Sequence, residues 1–310
     1  MRFLTVMEWQ DQFGTEEACR KYLFAQRWPN EFVCSKCQGT KYYTVQRTGR
    51  TLPLYECSTC GHQASLTAGT IFQHTKVALR IWFLAIFFMA VDKGGKSALA
   101  LSRELGLQYA TAWLMHHKIQ RAMADRNAKY QLAGLVELDD AYFGGESHGS
   151  GKQGRGTDQD PVVVGVSLNE QGHPQYAFLD VVENLKQETV LEVLKRRVDQ
   201  AGVWLSDGAA VYAAGAKAHH ADHRVTLSRE PNAPQVFHWM NTVMSLAKTL
   251  IDGTYHGRGR PPEVPDEGRA RRQRYLDEFT SRCNRRYMGT RIADRLLMAC
   301  VTSQPHPYAR

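Results

Sequence analysis

The sequence predicts a mixed α/β protein built behind a small metal-held domain. Three observations carry that expectation: two Cys-x2-Cys pairs near the start, a helical stretch after them, and β-rich runs alternating with helices from Gly134 onward. With 310 residues, 43% of them hydrophobic, there is chain enough for a sizeable core and for two or three units. The composition places the boundaries at residues 1–70, 71–130 and 131–310.

The first unit rests on its cysteines. Of seven, four form Cys34-Ser-Lys-Cys37 and Cys57-Ser-Thr-Cys60, separated by Gln38 to Glu56, whereas Cys19, Cys283 and Cys300 stand singly. Two tight turns of this kind close four thiolates tetrahedrally on one zinc ion, and "YYTVQRTGRTLPLYE" between them reads as strand, turn and strand. The competing reading, two disulfides, suits an oxidising compartment. The start, "MRFLTVMEWQDQF", has early acids and no apolar run followed by a small-residue cleavage site, so we expect an intracellular, cytoplasmic protein and a structural zinc. All four positions are filled by protein, which leaves no coordination place open for water.

The second unit opens on "IWFLAIFFMAV", Ile81 to Val91, well short of the roughly 18 residues that cross a bilayer. It reads as a buried helix, and no membrane partner is expected. In the following "GGKSALALSRELGLQYATAWLMHHKIQRAM", Leu99, Leu101 and Leu105 precede Gly106, and Thr111, Trp113 and Leu114 follow it. This is the pattern of a helix-turn-helix-like DNA-binding segment with its second helix starting near Tyr109, although two amphipathic helices joined at a glycine are also ordinary packing.

From Gly134 come "GLVELDDAYF", "PVVVGVSLNE" and "PQYAFLDVVE" as strands, a helix in "KQETVLEVLKRRVDQ", a strand "GVWLSDGAAVY", a strand "HRVTLS" and a helix "VFHWMNTVMSLAKTLI". That is the element order of an RNase H-like α/β domain. Within "VELDD" the period of two puts Glu137 and Asp139 on one face and Asp140 on the other. Further along, Asp207 ends a second apolar strand, directly before Gly208. Each aspartate alone reads as a turn residue before glycine. Together, delivered by adjacent strands, they supply the hard oxygen ligands that a pair of Mg²⁺ ions needs.

At these residues the chain resembles the bacterial insertion-sequence transposases of the DDE superfamily, in the subgroup with an N-terminal zinc ribbon. "VELDDAYFGG" is similar to the first catalytic block with Asp139, "VWLSDGAAVY" to the second with Asp207, and "HWMNTVMSLAK" to the third. The third block carries Asn241, with Lys248 two helical turns further on. "YLDEFTSRCNRR" matches a family pattern of Glu278 with Arg282 and Arg285 on one helix face. The resemblance implies catalytic Asp139, Asp207, Asn241 and Lys248, with Mg²⁺ or Mn²⁺ on Asp139, Asp207 and Asn241. It also implies DNA contacts by Lys248, Glu278, Arg282 and Arg285. Asn241 departs from the usual third acid, taking one negative charge from the site, and His238 or Glu278 are other candidates to complete it.

The implied function is metal-dependent cleavage and strand transfer at terminal inverted repeats, with target DNA as second partner and a homodimer or higher oligomer pairing two ends. A structure-specific nuclease of the same fold, and a transposase-derived DNA-binding regulator with a dead site, are the alternatives. Charge agrees with a polyanionic partner: 39 Lys and Arg against 31 Asp and Glu, net +8, pI near 9.1. Eleven arginines lie between Arg258 and Arg295, either a phosphate-gripping surface or a solvated basic face. The Gly-rich stretch over residues 144–160, with Lys152 and Arg155, reads as an arm that orders on DNA or as a long mobile hairpin.

Overall fold

A computed structural model describes residues 2, 4–49, 52–144, 159–255 and 265–305, so the expectations for Lys152 and Arg155 lie outside the described residues. In chain order the elements are α1 (Val6–Phe13), α2 (Glu16–Arg27), β1 (Tyr42–Val45), β2 (Leu54–Cys57), β3 (Gln63–Ser65), α3 (Leu79–Val91), α4 (Ala98–Leu105) and α5 (Tyr109–Asn127). Then follow β4 (Leu135–Phe143), β5 (Asp160–Leu168), β6 (Pro174–Val181), α6 (Gln187–Arg197), β7 (Val203–Ser206), α7 (Ala210–His219) and β8 (Asp222–Val225). The chain closes with α8 (Ala233–Val236), α9 (His238–Thr254), α10 (Pro265–Cys283), a 3-10 turn over Arg286–Arg291 and α11 (Ile292–Thr302). No described helix is long and apolar enough to cross a membrane.

The chain divides into two compact units where three were expected. One comprises Met1–Asp92, Lys96–Asp125 and Tyr287–Arg310; the other comprises Lys93–Gly95 and Arg126–Arg286. The helical stretch after the knuckles thus shares a unit with the ribbon, and the C-terminal helix leaves the 131–310 segment for it. The reason is a common core. Leu296, Leu297 and Cys300 of α11 are buried with Trp9 and Phe13 of α1, Leu23 of α2, and Phe83, Ile86 and Met89 of α3.

In the first unit, Thr5 and Glu8 form a capping box on α1, and the Glu16 carboxylate accepts from Leu79 N (2.8 Å) and Arg80 N (3.2 Å) at the start of α3, which has no side-chain cap of its own. β1, β2 and β3 make a three-stranded antiparallel sheet. The turn expected at Gly106 is present: its φ of +63° closes α4 in the left-handed region, and α5 starts at Tyr109.

The second unit is a five-stranded sheet in the order β6-β5-β4-β7-β8, with β5 antiparallel to both β4 and β6, β7 parallel to β4 and β8 parallel to β7. Alternation along β4 sorts the layers. Ala141 and Phe143 join Val162, Val164 and Val166 of β5 under α9 and α10; Val136 and Leu138 join Val163, Trp204, Val190 and Tyr212 under α6 and α7. Gly165 is dictated by packing, because a Cβ there would stand 2.2 Å from the Phe178 ring. This strand order with helices on both faces is the RNase H-like arrangement expected from the element order.

Candidate active site and metal centre

β4 runs through the acids instead of ending at them: Asp139 pairs with Val164 and Asp140 with Val163, and the strand continues to Phe143. On its other edge the parallel pairing with β7 stops at Glu137, opposite Leu205. The register there is Leu135↔Val203, Val136↔Trp204 and Glu137↔Leu205, so two more steps set Asp139 opposite Asp207, immediately past the end of β7. Burial pushes the Asp139 carboxyl up to about 6; the N–H of Asp140, donated to its Oδ1 at 2.8 Å, offsets part of that, and the charges of Asp140 and Asp207 add to it. Asp207 Oδ1 accepts from Ala209 N at 3.0 Å, which fixes the acid on the turn that Gly208 (φ +90°) makes. Two carboxylates brought together in this way fit a divalent cation.

Helix α9 lies along the Asp139 face of β4. Glu137 Oε2 accepts from Met240 N at 3.1 Å near its start, and Lys248 Nζ stands 5.6 Å over the Phe143 ring further along. Asp139 falls between Glu137 and Phe143 on that face. Met240, Val243, Ala247, Leu250 and Ile251 are buried on the sheet, whereas Asn241 and Lys248, seven apart, are both exposed on a shared side of the helix. His238 is also exposed and lines a cleft of about 470 Å³ with Glu137, Pro234, Gln235, Val236 and Trp239.

Two residues absent from the sequence-derived site emerge here. Glu137 is fully buried, its Oε1 has no hydrogen-bond partner among the described residues, and desolvation raises its carboxyl to about 7. Its place on the Asp139 face was visible in the period of two; the contact with α9 was not. Tyr212, 1% exposed and on the helix that follows Asp207, has a hydroxyl without a partner among the described residues. Burial, then the charges of Asp140, Asp139 and Asp207, raise its pKa, so Asp140 faces α7 rather than serving as a turn residue.

The Glu-Arg-Arg trio is engaged within the protein. Glu278 has no exposed surface: it accepts from the Tyr255 hydroxyl through Oε2 and from Arg282 Nη1 at 2.7 Å through Oε1. Arg285 Nη1 donates to Asn127 Oδ1 (3.0 Å) and to Ser281 O (2.9 Å). These groups hold α10 in place, and both Glu278 oxygens are engaged within the protein. Much of the arginine run behaves likewise. Arg272 Nε pairs with Asp160 at 2.7 Å, and Arg286 donates to the carbonyls of Pro174 and Cys283. Arg258 and Arg260 lie outside the described residues.

The four knuckle cysteines converge in the first unit. Their sulfurs lie within 4.8 Å of one another, with Cys34–Cys60 at 3.7 Å and Cys37–Cys57 at 3.5 Å. Zinc bound at about 2.3 Å by four sulfurs sets them about 3.8 Å apart, a spacing close to the two pair distances here, so the four thiolates fit a tetrahedral zinc. Backbone N–H groups complete the fit: those of Cys60 and Thr59 lower the Cys57 thiol, favouring the thiolate that binds metal. Gly39 packs close to the cluster: a Cβ there would stand 3.0 Å from Thr59 Oγ1 and 3.3 Å from Cys57 Sγ, so a larger residue would crowd the sulfurs.

Residues 131–284 match the ISXO2-like transposase domain and residues 14–63 the transposase zinc-ribbon domain. Over 163 residues the chain is 30% identical to a protein from Halobacterium salinarum described as an uncharacterized protein in transposable element ISH50. That alignment takes in 52% of this chain and 51% of the relative, so the chain spans about half of that protein's length. Among solved structures, a chain of the Mos1 strand transfer complex aligns with 73% of this chain and 79% of its own at 10% identity and a TM-score of 0.28. A chain of the simian T-cell lymphotropic virus intasome bound to PP2A regulatory subunit B56 gamma aligns with 57% of this chain and 63% of its own, at 12% identity and a TM-score of 0.28.

Proposed function

We propose that this chain, which belongs to the insertion-sequence transposases with an N-terminal zinc ribbon, binds the terminal inverted repeats of its element, cuts DNA at their ends and joins the freed 3′ hydroxyls to target DNA. The observation that carries the chemistry is the register that sets Asp139 opposite Asp207, with exposed Asn241 and Lys248 on the helix beside them. Asp139 and Asp207 would hold Mg²⁺ or Mn²⁺, with the neutral carbonyl of Asn241 as third ligand. When bound, such ions activate the attacking oxygen and neutralise charge on the leaving one.

The protein's own groups do the rest. In cleavage, a water oxygen forms a bond to phosphorus, the P–O3′ bond breaks, and the departing 3′ oxygen takes up a proton. In joining, the 3′ hydroxyl attacks a target phosphodiester in the same way, one ester bond replacing another without external energy. No covalent enzyme intermediate is implied. Lys248, exposed beside β4, is available to a backbone phosphate near the scissile bond. Glu278, Arg282 and Arg285 contribute by bracing α10. The zinc ribbon and the α4–α5 pair would supply recognition of the ends, through contacts that weaken steeply with salt. Pairing two ends calls for at least a dimer.

The test is an incubation of purified protein with a pre-cleaved element end and plasmid target in Mg²⁺ or Mn²⁺. Strand-joined products are expected. Hydrolysis alone would make it a nuclease, and end binding without either reaction would make it a regulator.

A further inference from the structure

Helix α9 carries Asn241 and Lys248, yet no side chain of its own caps it. Its first turn therefore presents N–H groups that need a partner from elsewhere. Glu137 supplies one, reaching from the middle of the sheet to Met240 N at 3.1 Å. The two ends of this hydrogen bond sit next to the reacting groups: Glu137 is two residues before Asp139 on the same face of β4, and Met240 directly precedes Asn241.

We propose that Glu137 is a positioning residue that fixes the rotation and height of α9 against the catalytic strand, and so sets where the Asn241 carbonyl meets the metal held by Asp139 and Asp207. The inference rests on the transposase reading of that site. A directional contact adds what the core contacts of α9 lack: Met240, Val243, Ala247 and Leu250 pack on β-strand valines through non-directional apolar contacts. A turn of about 20° about the helix axis carries a side-chain tip about 6 Å out through about 2 Å. Metal ligands tolerate about 0.2 Å. Apolar packing alone thus leaves Asn241 too free, and a single buried hydrogen bond removes that freedom. A carboxylate with no exposed surface and one oxygen without a partner among the described residues is a poor choice for packing, which an aliphatic side chain would serve better.

The experiment compares Glu137→Leu and Glu137→Gln with the wild-type chain, all zinc-loaded, in three measurements: hydrogen exchange of the peptide spanning the first turn of α9, Mn²⁺ titration followed by electron paramagnetic resonance, and strand transfer. Glu137→Gln keeps a carbonyl acceptor for Met240 N and is expected to match wild type within about threefold in all three. Glu137→Leu is expected to lose about tenfold in amide protection at α9, the equivalent of one hydrogen bond, and about ten- to a hundredfold in Mn²⁺ affinity. Unchanged exchange in Glu137→Leu would overturn the proposal, as would equal loss of Mn²⁺ by both variants, which would make Glu137 a ligand. If wild type binds no Mn²⁺ and joins no strands, the transposase reading falls, while the exchange result still reports whether Glu137 holds the helix.

Discussion

Asp139→Asn is expected to stabilise the magnesium-free protein while abolishing its chemistry. The folded-state carboxyl has its pKa raised to about 6 from an ordinary value of 3.8, chiefly by burial. With the folded value above the unfolded one, the native state holds the extra proton, so stability falls as pH rises from about 3.8 to about 6 and stays low above that. The difference of about 2 units corresponds to about 3 kcal/mol at neutral pH. Asparagine keeps the acceptor for the Asp140 N–H and removes the charge. At pH 8 the unit made of Lys93–Gly95 and Arg126–Arg286 should therefore melt roughly 6–12 °C higher in the variant, and at pH 4 the gap should nearly close. Glu137, raised to about 7, adds a pH dependence of the same sign to both proteins and cancels in the comparison. The assay is circular dichroism melting in zinc-replete, magnesium-free buffer, repeated with saturating Mg²⁺, which should raise wild type only. A variant that melts at or below wild type at pH 8 would refute the claim that the acid pair is an uncompensated charge site.

Three further outcomes test the remaining parts. Cys57→Ser should lose zinc, unfold the ribbon and weaken end binding, measured by metal analysis and electrophoretic shift. Arg282→Ala strands the buried Glu278 carboxylate, so urea unfolding should show a loss of about 3–5 kcal/mol with the salt slope of DNA binding unchanged; a slope reduced by one charge in a protein of unaltered stability would restore Arg282 as a phosphate contact. Asn241→Asp adds a charged ligand and should tighten Mg²⁺ binding about tenfold by calorimetry, whereas unchanged affinity would remove Asn241 from the site.

The strands that carry Asp139 and lead into Asp207 were legible because their signals are local. The period of two in "VELDD" gave the shared face of Glu137 and Asp139, and β4 and β7, which carry Asp139 and lead into Asp207, are neighbours in the sheet. The four knuckle cysteines carried their geometry in their spacing. The run "GLVELDDAYF" is likewise a local signal, and Ala141, Tyr142 and Phe143 carry the pairing past the aspartates. The arginine run was misread. Its partners, Asp160, Asn127 and the Pro174 carbonyl, belong to distant parts of the chain, and a linear count of charge cannot see them. The same holds for α11, whose apolar face is plain in the sequence but does not say which core receives it.

The central claim is that Asp139 and Asp207 form one metal-dependent centre for strand transfer. Its most direct measurement is joining of a pre-cleaved end to plasmid in Mn²⁺ by wild type, Asp139→Asn and Asp207→Asn, with end binding followed in parallel. Joined products from wild type, none from either variant, and equal binding by all three are predicted; joining by either variant at the wild-type rate would contradict the account.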